Sequence, residues 1–154
     1  MLTIKTVENI KLGSRITYFN GIYAVLTGLY YIIFCNWILK TNLRAFSSVW
    51  AVFSKYNPDL AMLLVKLQVI QGILVIALGL SIIYLSAYIA RRKDRSAWVA
   101  LFVMGLLLWA GLLTLEILNW NLTNIIITGI GWLMFIIGML IPIGYYLGKS
   151  DYEY

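Results

Sequence analysis

The sequence contains no histidine, one cysteine (Cys35) and two prolines, and only 12% of its 154 residues are charged. Without histidine and with a single thiol, it cannot assemble a His/Cys zinc site, a bis-histidine haem, a Ser-His-Asp triad or an internal disulfide. The scarcity of charge excludes more. An ordinary soluble domain is about 25% charged and about 45–50% apolar, whereas here 62% of residues are hydrophobic and the mean hydropathy is +0.89. A water-soluble fold of this size exposes much of its surface and cannot hide so much apolar area. The chain is therefore expected to be a single integral membrane domain over residues 1–154, solvated mainly by lipid.

What is present is apolar length. A membrane-spanning helix needs about 20 mostly apolar residues, and four stretches supply them, near residues 17–39, 60–90, 97–118 and 122–147. The expected fold is all-α: a four-helix antiparallel transmembrane bundle with a short outer interfacial helix. That short helix is expected between Lys40 and Pro58, where Phe46, Val49, Trp50 and Phe53 recur at helical spacing. Asn57-Pro58 ends it, with Pro58 suited to the first turn of the second span. Lys5, Glu8, Lys11 and Arg15 precede the first span with no short apolar core and cleavage site, so that span reads as a retained anchor. Orientation follows from Lys and Arg in the loops. Lys5, Lys11, Arg15, Arg91, Arg92, Lys93, Arg95 and Lys149 fall on one side, against Lys40, Arg44 and Lys55 on the other. Both termini are thus expected in the cytoplasm. The net charge of +6 is then a topology signal split among short loops, not a nucleic-acid-binding face.

Helices in lipid associate through close packing and polar contacts, so stripes of small and polar residues predict the interfaces. Asn20, Ala24, Thr27, Gly28, Tyr31 and Cys35 share a face of the first span; Gln68, Gly72, Gly79 and Ser86 align on the second. Asn124, Thr128, Gly131, Phe135, Gly138 and Pro142 do so on the fourth, where Pro142 is expected to kink the helix and Asn121 or Thr123 to cap its start.

Lys66 and Glu116 are the charges inside apolar runs, where a mid-bilayer charge costs at least about 2.5–3.5 kcal/mol. Two readings stand. Either they pair across the second and third spans, or Glu116 faces a cavity that binds a proton or a cationic ligand, with Gln68 and Gln71 as polar lining and Trp109 on an aromatic wall with Phe102, Gly105 and Leu112. The remaining acids, Glu8, Asp59, Asp94, Asp151 and Glu153, lie near or beyond the membrane surfaces and form no metal cluster. No catalytic residue, cofactor or metal ligand is expected, and Cys35 reads as a packing residue.

The stretch Gln68-Val69-Ile70-Gln71-Gly72, then Leu78-Gly79, the Arg91–Arg95 turn and the apolar third span resembles the DoxX-type small membrane proteins. That family commonly carries an acidic residue where this chain has Gln68 and Gln71, so no functional residue carries over. The resemblance implies an accessory role in membrane-associated redox complexes. The function expected is that of a non-enzymatic accessory subunit or hydrophobic small-molecule binder. The partners expected are membrane lipids with a protein partner or further copies of the chain. The alternative is an oligomeric small transporter or channel that uses Glu116.

Overall fold

The computed structural model describes residues 4–42 and 49–147. Helix follows helix: α1 (Ile4–Ile33), α2 (Cys35–Asn42), α3 (Val49–Tyr56), α4 (Pro58–Arg92), α5 (Arg95–Leu118), α6 (Leu122–Leu140) and α7 (Ile143–Leu147). No strand occurs among the described residues. Four of these helices, over Val7–Ile33, Pro58–Arg92, Arg95–Leu118 and Leu122–Leu140, are long and apolar enough to cross a membrane. The protein is an all-α four-helix bundle of that kind. α1 packs on α4 and α6, and α5 closes the ring against α4 and α6.

The first span differs from expectation. Its helix begins at Ile4 and ends at Ile33, not over residues 17–39, and α2 continues from it. The polar residues ahead of the expected span are themselves helical. Glu8, Lys11 and Arg15 are exposed while Ile10, Gly13, Ser14 and Thr17 are buried, so one face already packs before the apolar run starts. At the far end Phe34 N still bonds Tyr30 O (3.0 Å) and Ile38 N bonds Phe34 O (2.9 Å), so the helical ladder crosses the break. The fourth span is likewise divided, at Pro142, which has no N–H to continue the ladder.

Local chemistry sets the other boundaries. Pro58 occupies the first turn of α4. Lys93, at φ 55°, closes that helix in the left-handed conformation. Asp94 caps α5 by accepting from Ser96 N at 2.9 Å, and Asn121 caps α6 by accepting from Asn124 N at 3.3 Å. α3 lies where the short outer helix is expected. Phe46 and Arg44 of that segment, and the tail from Lys149 to Tyr154, lie outside the described residues.

Every residue of the three stripes is buried, and the glycines show why. A β-carbon on Gly28 would lie 2.7 Å from Gly72 O, and one on Gly72 would lie 2.8 Å from Gly28 O. The same exchange recurs seven residues along, at 2.9 Å between a Gly21 β-carbon and Gly79 O and 3.0 Å for the reverse. The backbones of α1 and α4 therefore come close at two levels, flanked by Ile32 and Ile76 at one and by Val25 and Ile83 at the other, with no room for a further side chain. α5 and α6 instead fit ring into hollow. Phe135 occupies the space a β-carbon of Gly105 would need, and Trp109 does so at Gly131.

Gly72→Leu should therefore lower stability by about 1–3 kcal/mol, because the backbones must part to admit the side chain. Gly111→Leu is the control. A β-carbon there meets nothing among the described residues within 4 Å, so the change should stay within about 0.5 kcal/mol. Thermal unfolding in one detergent compares them; equal losses would count against the α1–α4 approach as a stabilising contact.

Candidate functional site

The buried polar side chains gather in layers along the bundle. At the α3 end, Glu116 stands in the last turn of α5 and is 2% exposed. Tyr31 of α1 donates to its Oε1 at 2.8 Å, and Asn124 of α6 donates through Nδ2 to its Oε2 at 3.1 Å. Asn124 Oδ1 accepts in turn from Tyr30 OH at 3.2 Å. Three helices thus meet on one carboxyl group, whose two oxygens each have a donor. The α5–α6 turn holds the layer in place. Asn121 caps α6 and donates through Nδ2 to Thr41 Oγ1 of α2 at 3.0 Å.

A second layer lies deeper. Asn20 Nδ2 donates to Gly131 O at 2.7 Å, and Asn20 Oδ1 accepts from Trp109 Nε1 at 2.9 Å. Tyr23 stacks on Trp109 with centroids 5.9 Å apart and donates to Ile127 O at 2.9 Å. Near the α4–α5 turn, Ser86 donates to Thr17 Oγ1 at 3.0 Å. A buried amide or hydroxyl without a partner costs several kcal/mol in hydrocarbon, and these groups supply one another.

The residues singled out in the sequence do not converge. Glu116 and Trp109 are buried, but Trp109 serves Asn20, two turns from the carboxyl group. Gln68 is buried and its Nε2 has no hydrogen-bond partner among the described residues, Gln71 is half-buried, and Lys66 is exposed. The expected Lys66–Glu116 pair is not formed. The physical reason is rotation. Gly72 and Gly79 must face α1, and Lys66, six residues before Gly72, is carried about 120° round from it at 100° per residue and off the buried face. The expected aromatic wall is also incomplete, since Phe102 is exposed while Gly105, Trp109 and Leu112 are buried.

Register removes the difficulty of an unpaired lysine. The glycine contacts and the Cys35 Sγ–Val65 O contact at 3.8 Å follow one antiparallel register. It sets Lys66 level with position 34 of the first span and Arg15 level with position 85 of α4. Those levels are about 29 Å apart at 1.5 Å per residue, close to the roughly 30 Å hydrocarbon thickness. Lys66 therefore falls at the edge of a bilayer so placed, where its ammonium reaches the headgroups.

The partners of Glu116 had a signal in the sequence. Tyr31 and Asn124 both sit in small-residue stripes, and a polar side chain in such a stripe needs a partner across the interface. Among the described residues no three His, Cys, Asp or Glu side chains come together as a metal site. No family model matches the chain, and no curated protein or solved structure matches it.

Glu116→Leu would leave Tyr31 OH and the Asn124 amide without their acceptor, at about 1–3 kcal/mol for each. Glu116→Gln keeps the shape, and its amide can pair once Asn124 turns over, so its loss should be under about 1 kcal/mol, as for an average interhelical bond. Lys66→Met should add to either change without coupling. A double-mutant cycle on unfolding in detergent measures this; rescue of Glu116→Leu by Lys66→Met would restore the ion-pair reading.

Proposed function

We propose that this protein is a non-catalytic accessory subunit of a membrane complex, with both termini in the cytoplasm. The observation that carries the reading is that the interior serves the chain itself. The Glu116 oxygens are held by Tyr31 and Asn124, the Asn20 amide by Trp109 and Gly131, and the α1–α4 contact leaves no side-chain thickness between backbones. A small-molecule binder keeps a concave pocket with a few convergent polar groups turned into it. Here the convergent groups point at one another, so recognition falls to the outer surface. The DoxX-type layout is in keeping with that role. The basic α4–α5 turn, with exposed Arg91, Arg92 and Arg95, supports its placement on the cytoplasmic side.

The buried carboxyl group of Glu116 supports a second reading, a transporter or channel built from several copies and coupled through that group. Its tight set of neutral partners favours the structural role.

Three measurements test this: one the topology, the other two the choice between the readings. Tags at both ends should report the cytoplasm, and gentle detergent extraction should retain a stoichiometric partner of different sequence. Purified alone into liposomes, the chain should give no cation or proton flux above empty vesicles. Flux in the wild type that Glu116→Gln abolishes, with folding intact, would replace the subunit by the transporter.

A further inference from the structure

A cavity of about 10 Å³ lies between α1, α4, α5 and the end of α6, its walls including Gly13, Thr17, Trp98, Leu101, Gly138 and Pro142. That volume admits one water molecule and little else. Two observations on its walls concern hydrogen bonding. Trp98 is 5% exposed and its Nε1 is buried without a partner among the described residues. Gly138 is four residues before Pro142, so its carbonyl faces a ring nitrogen with no hydrogen to give. Thr17 adds an acceptor. Its Oγ1 donates to the carbonyls of Gly13 and Ser14, both at 3.1 Å, and accepts from Ser86 at 3.0 Å, leaving one lone pair.

We propose that this cavity is a specific site for a single water molecule, which accepts from Trp98 Nε1 and donates to Gly138 O and Thr17 Oγ1. The donor set decides between ligands. A metal cation would be repelled by the indole N–H, and an anion would be repelled by the carbonyl. Water both gives and accepts, and a buried water typically makes about three hydrogen bonds. The site has a consequence for the fold. Tyr146 of α7 stacks on Trp98 with centroids 5.1 Å apart, so the water that fixes the indole and the Gly138 carbonyl also fixes where the chain goes after Pro142. Proline-broken membrane helices are known to recover lost backbone bonds through ordered water.

The test uses the full chain in lipid nanodiscs with nitrogen-15-labelled tryptophan. The Trp98 indole proton, assigned by its loss in Trp98→Phe, should show a through-space cross-peak to water. The Trp109 indole, bonded to Asn20, should show none. Pro142→Ala returns an N–H to Gly138 O, which competes with the water for that carbonyl, and should weaken the Trp98 cross-peak while leaving the Trp109 signal in place. Thr17→Val, which removes an acceptor without altering the backbone, should weaken the cross-peak and decides the matter where Pro142→Ala disturbs the Trp109 signal. No cross-peak in the wild type, or one of undiminished strength in Thr17→Val or a folded Pro142→Ala, would overturn the proposal.

Discussion

In hydrocarbon, helices gain little by burying apolar surface against each other, so close backbone approach is the constraint from which this bundle is built. Gly21 and Gly28 of α1 meet Gly79 and Gly72 of α4 at distances no side chain can bridge. That contact fixes the rotation of both helices at once. On α4 it turns Gln68, Val75, Ile82 and Ser86 inward and Lys66 outward. On α1 it sends Asn20, Tyr23 and Tyr31 towards α5 and α6, where their partners lie. The polar layers are thus a consequence of the glycine contact.

Each interhelical hydrogen bond is individually weak, averaging about 0.6 kcal/mol in membranes. Their importance lies in the alternative. An asparagine or glutamate turned to lipid would cost several times more, so wrong rotations of α5 or α6 are penalised at every layer they would break. Glu116 ties α5 to α1 and α6, and Asn20 ties α1 to α5 and α6 through Trp109 and Gly131. These side chains specify a unique arrangement more than they add stability.

The legible part of this structure was the part written in periodicity. Four apolar runs gave four helices, and the three stripes proved buried at every member. Capping was equally readable at Pro58 and Asn121, because it depends on neighbours in sequence. Where the reading failed, a residue depended on distant ones. Lys66 and Glu116 looked like partners on depth alone, whereas pairing depends on rotation, which two glycine contacts with another helix decide. The start of α1 was misplaced because hydropathy marks where lipid begins, while helix continues wherever one face finds packing. Ile10 and Ser14 find it inside the bundle. Gly138 and Pro142 were recognised as a stripe and a kink, but the cavity beside them needs Trp98 from another helix and has no sequence signature.

The unequal helix lengths follow from the same placement. α6, with 19 residues, rises about 29 Å, one hydrocarbon thickness, while α4, with 35, rises about 53 Å. α4 outruns α1 at the end near Pro58 when the two are set in their one register, and the basic residues mark its ends. Arg91 and Arg92 close one end, and Lys66 stands two turns inside the other. The turns before Lys66 lie past that level, where α2 and α3 pack against α4. An exposed lysine on an otherwise apolar helix then needs no ion-pair partner. With a bilayer set between the levels of Arg15 and Lys66, it stands at the headgroups, where the cap made by α2, α3 and the start of α4 begins.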